Sequence, residues 1–334
     1  MVMQRRTLHF ASEDVTLVGE LLLPAGAGPH PAVLLIGGTF SDTRDGDPAL
    51  SLSGQMPAHG MFKVMAERLA VAGVASLRWD KRGVGESSGG DRQLHSDLMT
   101  DVADATQALH ALCSAPNINP ARVAVLGESA GAHVACLLAT RTQQPMAFVL
   151  QGALYDSLPE LMEFNYRRLQ DFCARGAEAE AWVKQVAPAA YQAARHWRSF
   201  VAAARRGDKC YQSEARQVIA GGQMRRLQQE LIFAPADQFR HIQTPVQVIQ
   251  GDCDLNVPPD NCHKIAAALH AAGNLDAILV VVSGADHSMQ LAAEDTETRL
   301  RERISFESFY RPFSELFLTS LTAWLTAQLN THAA

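Results

Sequence analysis

One pentapeptide constrains this chain more than any other stretch: Gly127-Glu128-Ser129-Ala130-Gly131, set between the apolar run ARVAVL and the small-residue helical run AGAHVACLLATR. Passing from a strand pattern to a helix pattern in so few residues demands a sharp turn. Glycines two positions either side of the serine permit it, because side chains there would collide across the turn. A serine held at such a turn has a strained backbone; its hydroxyl stands clear of the sheet and the next N–H points at the same spot. Ser129 is therefore the candidate nucleophile, and the N–H of Ala130 a candidate donor to a developing oxyanion.

The grammar around this turn predicts the fold class. Apolar runs at 32–36, 74–79, 122–126, 147–150, 246–250 and 277–282 alternate with helix-period segments at about 61–72, 97–113, 130–141, 260–272 and 313–329. An α/β fold follows, with a mostly parallel central sheet and helices on both faces. Residues 7–23 alternate apolar and polar as an antiparallel hairpin. The rhythm breaks between Leu154 and Arg240, where helical periodicity continues without a convincing strand. We expect a core of residues 1–153 and 241–334, with 154–240 a helical cap insertion at the carboxyl edge of the sheet, where open α/β sheets bind ligands. The insertion's aromatics, Phe164, Trp182 and Trp197 among them, are expected to pack its own small core and to line a pocket of moderate size.

A serine hydroxyl at neutral pH needs a base to take its proton and a carboxylate to orient that base. The strand PVQVIQ is followed by GDCDLNVP, and the strand AILVVV by SGADHSM. His287 is thus the expected base, on the loop after the last strand, and Asp254 or its neighbour Asp252 the orienting acid. The order Ser, Asp, His is the one this architecture uses. A second oxyanion donor is expected from the turn Gly37-Gly38-Thr39-Phe40 after the first parallel strand, with Thr39 favoured and Phe40 the alternate.

Other chemistries are disfavoured. Asp252, Cys253, Asp254, Cys262 and His263 resemble metal ligands in type, but cysteines nine apart across a helix start do not match a structural zinc pattern. His133, four residues after Ser129, reads as a packed side chain. No dinucleotide or phosphate-loop glycine pattern appears, so no cofactor is expected. A net charge of −6 without a Lys/Arg-rich block argues against nucleic acid as a partner. Six cysteines without a C-x-x-C, no signal-like amino terminus and only strand-sized apolar runs suggest a cytoplasmic protein without a membrane span. Nothing in the pattern sets an oligomeric state.

These motifs together resemble the α/β-hydrolase superfamily, and within it serine esterases of the dienelactone hydrolase-like kind. The loop GGTFSDTRDGD keeps the Arg44, Asp45 and Gly46 of a D-R-D-G motif. LRWDKRGVGESSG carries Arg78, Asp80, Arg82, Gly83, Gly85 and Ser87 of R-x-D-x-R-G-x-G-x-S. Gly251, Asp254, Val257 and Pro258 match the acid loop G-x-x-D-x-x-V-P, and this match favours Asp254 over Asp252. The resemblance covers about residues 7 to 329 apart from the insertion. Dienelactone hydrolase itself has a cysteine nucleophile, and the H-G-G-G loop of another esterase group is absent, so mechanism is implied more than substrate. The expectation is a hydrolase of carboxylic esters with small to medium groups, acting on a small-molecule substrate through Ser129, His287 and Asp254. The same machinery serves thioesterases, amidases or peptidases and acyltransferases; a binding protein on this fold would be expected to lack a triad member, and none is missing.

Overall fold

The structure, a computed structural model, describes residues 2–143, 145–213 and 218–330. Its main sheet contains β1 (Gln4–Ser12), β2 (Val15–Leu23), β3 (His30–Ile36), β4 (Ala75–Trp79), β5 (Ile118–Glu128) and β6 (Ala147–Gln151). Two short strands, β7 (Cys210–Gln212) and β8 (Val218–Ala220), pair antiparallel outside it, and β9 (Val246–Gly251) and β10 (Ala277–Val282) complete it. The strand order is β1-β2-β4-β3-β5-β6-β9-β10. From β4 to β10 every pairing is parallel; only β1 with β2 and β2 with β4 run antiparallel.

Strand alternation distributes the core between the two faces. On β5, Val123 and Val125 pack with one apolar cluster while Ala124 and Leu126 pack with the other. Helices Leu98–Ser114, Ala130–Ala139 and Asn261–Ala271 cover the first face, and Met61–Val71 and Glu315–Asn330 the second. Because both faces are covered, the central strands are apolar at nearly every position, which is why they read as continuous runs in sequence.

After β6 the chain leaves the sheet and forms helices Leu158–Cys173, Ala177–Val186, Pro188–Arg205 and Gly221–Ile232 before returning to β9. The β7–β8 hairpin corrects the expectation that this stretch contains no strand. Each of its strands is only three residues long, too short for a period of two to show. Trp197 packs with Phe200, Val201 and Leu227, and Trp182 lies 5.6 Å from the tilted ring of Phe172 in a cluster that also takes in Ile304, so these aromatics pack the helical segment's own cores. Polar anchors tie the segment to the sheet domain. Asn261 accepts from the N–H groups of Tyr155 and Asp156 at 2.7 and 3.0 Å, and Arg225 and Arg226 pair with Asp97 and Asp101 at 2.8 and 2.5 Å. Among the described residues, no helix is long and apolar enough to cross a membrane.

Candidate active site

Ser129 lies between β5 and the helix Ala130–Ala139 with φ 54° and ψ −122°, a conformation that strains any residue with a Cβ by about 1–3 kcal/mol. The flanking glycines make it possible by allowing backbone to approach backbone. A Cβ on Gly127 would stand 2.4 Å from the carbonyl oxygen of Gly131, and one on Gly131 would stand 2.2 Å from that of Ile36. The serine N–H donates to the carbonyl of Gln151 at the end of β6 (2.8 Å), which ties the turn to the neighbouring strand.

Asp254 and His287 meet although 33 residues separate them: His287 Nδ1 lies 2.7 Å from Asp254 Oδ2. The carboxylate is 1% exposed, and its other contacts are the N–H groups of Asn256 and Val257 at 2.7 and 2.9 Å and the Gln250 amide at 3.1 Å. Every lone pair thus has a donor, so its orientation is set from all sides. Asp252 faces elsewhere, accepting from Gly284 N–H and Ser283 Oγ at 2.7 and 3.2 Å in an exposed turn. The imidazole of His287 is seated against Gly152, whose φ is +56° and on which a Cβ would come within 3.0 Å of the ring. Burial lowers the affinity of His287 for a proton, but the charge and hydrogen bond of Asp254 outweigh it, and the pKa is raised above the usual histidine value. The next residue back, Asp286, has its pKa pushed up to about 6 by burial.

The loop after β3 is held from both sides. Gly38 N–H donates to Glu128 Oε2 at 2.7 Å, Ser41 Oγ donates to the same oxygen at 2.9 Å, and Lys81 Nζ donates to the Gly38 carbonyl. A Cβ on Gly38 would stand 2.7 Å from both the Glu128 carbonyl oxygen and the Ser129 Cβ, so only glycine lets this loop reach the serine. Thr39 and Phe40 follow, and both line the same cavity as Ser129. Ala130, the first residue of its helix, belongs to the turn whose N–H groups have no intrahelical acceptor.

Glu128 and Lys81 acquire roles that their motifs did not reveal. Glu128, read as part of the GESAG pattern, clamps the loop and presents Oε1 3.8 Å from His287 Nε2. Lys81 is buried, and desolvation lowers its pKa to about 8. The arginines around it serve as braces. Arg44 forks Asp80 at 2.6 and 3.1 Å, and Arg82 forks Asp104 within 2.9 Å. His133 is buried, and desolvation lowers its pKa to about 4, which keeps it neutral.

The main cavity, about 190 Å³, holds Ser129, His287, Thr39, Phe40 and Glu128 on one side. The first helix of the long segment contributes Leu161 and Asn165, and the stretch after His287 contributes Arg299, Arg303, Phe306 and Phe309. This last stretch, with its helix Thr296–Ser305, was missed in sequence because that helix is strongly polar, with Leu300 and Ile304 its only apolar side chains. Trp182, Trp197 and Phe164 do not line this cavity, contrary to expectation; the first two are engaged in the helical segment's own packing, and Phe164 carries the Arg168 guanidinium on its face at 3.8 Å. His59, its ring 4.2 Å from that of Phe309 and tilted to it, is a further wall residue whose pKa is lowered by burial.

An eight-stranded, mostly parallel sheet with this serine turn defines an α/β hydrolase. Residues 51–293, most of the chain, match the family described as serine aminopeptidase, S33, and the protein belongs to that family. The sequence is 32% identical over 169 residues to the uncharacterised protein Rv2307c of Mycobacterium tuberculosis, covering 49% of this chain and 58% of that one. It is 30% identical over 164 residues to esterase EstD of Thermotoga maritima, covering 48% of this chain and 37% of the relative. The match therefore spans little more than half of one relative and about a third of the other. Among solved structures, the fold is similar to Est1E from Butyrivibrio proteoclasticus (TM-score 0.56, 14% identity, 97% of this chain and 99% of that chain). It is also similar to the Pyrococcus furiosus esterase PF2001 (TM-score 0.59, 14% identity, 98% and 91%).

Proposed function

We propose that the protein hydrolyses carboxylic esters of small molecules through an acyl-enzyme, with Ser129 as nucleophile, His287 as general base and Asp254 as the group that orients it. The observation that carries this reading is the 2.7 Å contact of Asp254 with His287 Nδ1 in the same site as a serine held at φ 54°. With Nδ1–H donating to Asp254, the free Nε2 takes the Ser129 proton as Oγ bonds to the acyl carbon. The carbonyl electrons move onto oxygen, where the N–H groups of Thr39 and Ala130 stabilise them. Collapse returns the electrons, breaks the bond to the alcohol and passes the proton from His287 to it; water then repeats the sequence and frees the acid.

In this reading residues 154–240 are a cap on a core of 1–153 and 241–334. The cavity volume supports esters with small to medium groups in preference to polymers. Six free thiols support a reducing compartment, and the cytoplasm is the location we assign. Labelling with a fluorophosphonate, followed by a panel of p-nitrophenyl esters, acyl thioesters and aminoacyl amides, tests the reaction. Absence of Ser129 labelling, or turnover of the thioesters or amides above that of every ester, would overturn it.

A further inference from the structure

The main cavity continues into a smaller one of about 80 Å³, and Asn165, Leu255, Arg303 and Phe306 line both. Two guanidinium groups, from Arg168 and Arg303, border this smaller cavity. Among the described residues neither has a carboxylate within ion-pair distance, while their neighbours Arg299 and Arg311 are otherwise engaged, with the carbonyls of Ala293 and Glu294 and with Glu302. Arg303 Nε donates to the side chain of Asn256, and Arg168 Nη2 to the carbonyl of Leu255. Arg168 Nε is buried and makes no hydrogen bond.

The acids that face this pair are already committed. Asp254 is saturated by four donors, Glu302 is forked by Arg311 at 2.7 and 2.6 Å, and Asp286 accepts from the Gln290 N–H at 2.9 Å. Arg168 and Arg303 line the same small cavity, and partial burial with the charge of Arg303 pushes the Arg168 pKa down to about 10. Asp254 attracts both groups and Asp286 attracts Arg303, but neither carboxylate lies within ion-pair distance, so two partly buried guanidinium groups keep donors free for an anion placed between them. Planar guanidinium groups suit the two oxygens of a carboxylate.

We infer that the smaller cavity is a carboxylate subsite, and that the ester cleaved at Ser129 carries a second, free carboxylate at the far end of one arm. The inference rests on the ester-hydrolase reading above and narrows its substrate class. A purely structural role for the two arginines, tethering the loop of Leu255 and Asn256, makes a different prediction: their loss would slow neutral and anionic substrates alike.

The test compares p-nitrophenyl hydrogen adipate with p-nitrophenyl hexanoate, two acyl chains of equal length of which one ends in a carboxylate. In the wild type kcat/KM should favour the adipate by about tenfold or more, the effect of one well-made charged contact. In Arg303→Gln, and separately in Arg168→Gln, that ratio should fall toward one, chiefly through KM, and Arg303→Lys should keep part of it. A ratio at or below one in the wild type, or one unchanged in both glutamine variants, overturns the inference. If hexanoate turnover depends on Ser129 while the ratio stays at one, the inference fails alone. If neither ester is cleaved and a fluorophosphonate leaves Ser129 unlabelled, the hydrolase reading falls and the inference with it.

Discussion

On one side of the cavity, the proposed catalytic groups and their support hang from strand ends: Ser129 after β5, Gly152 after β6, Asp254 after β9 and His287 after β10. On the other side, Leu161 and Asn165 come from one helix and Arg299, Arg303 and Phe306 from the distant stretch that follows His287. The first side is tied together by short hydrogen bonds within and between its loops, whereas the second meets it through polar side chains, such as Asn165 on the Asn256 carbonyl at 2.7 Å, and ring contacts, such as Phe306 with Phe40 at 5.7 Å. In the proposed reading, chemistry is built on the strand-end side and selectivity on the helical side. Substitutions on the strand-end side should act on kcat, those on the helical side on the ranking of substrates.

The largest effect is expected at the nucleophile. Ser129→Ala should lower kcat by about 10⁴-fold or more without loss of fold, since it removes one hydroxyl from a turn fixed by glycines. Turnover above a tenth of wild type in that variant would remove the triad from the mechanism.

The two aspartates offer a sharper internal comparison. Asp254→Asn should reduce kcat by about 10³ to 10⁴, because an amide cannot fix the required tautomer of His287, while Asp252→Asn should reduce it by less than about tenfold. Steady-state kinetics on the pair decides it: a reversed ranking would contradict the 2.7 Å contact between Asp254 and His287.

Lys81 extends the comparison to a buried residue that does not line the main cavity. Its contact with the Gly38 carbonyl holds the loop that carries Thr39, so Lys81→Met should lower kcat by about ten- to a hundredfold with a smaller change in KM. A change confined to KM would show that the loop needs no such support.

The base should reveal itself through pH. Because Asp254 raises the pKa of His287, the neutral form needed for proton transfer is lost as pH falls, and kcat/KM should drop about tenfold per unit below a midpoint above the ordinary histidine value of about 6.5. A profile flat between pH 5 and 9 with chemistry rate-limiting would exclude this base.

The smallest effects belong to the helical side. Leu161→Ala should shift the preference among ester chain lengths by about 10-fold or less, the range set by a few methylenes in an apolar pocket. Trp197→Ala should leave that preference alone and instead lower stability by about 3–5 kcal/mol, because the indole packs inside the helical segment. Chain-length selectivity that follows Trp197 and ignores Leu161 would invert the assignment of the two walls.

Much of the strand-end side was legible in the chain itself. A strand buried on both faces must be apolar at nearly every position, and a serine at a strained turn needs glycine at fixed distances, so β3, β5, β6, β9 and the turn at Ser129 all leave local signatures. The helices of the long segment were legible for the same reason, through their amphipathic period. What no local pattern contains is a partner distant in sequence. The acid-loop motif already favoured Asp254, but which loop Lys81 and Glu128 clamp and which arginines end in the cavity depend on how elements pack, and a polar side chain on a helix has the same sequence environment whether it faces solvent or a pocket. The sequence by itself therefore determined the sheet, its order of motifs and the chemical types available. Only the tertiary structure decided which of those groups face one another, because burial and distance, and not residue type, select the working charges.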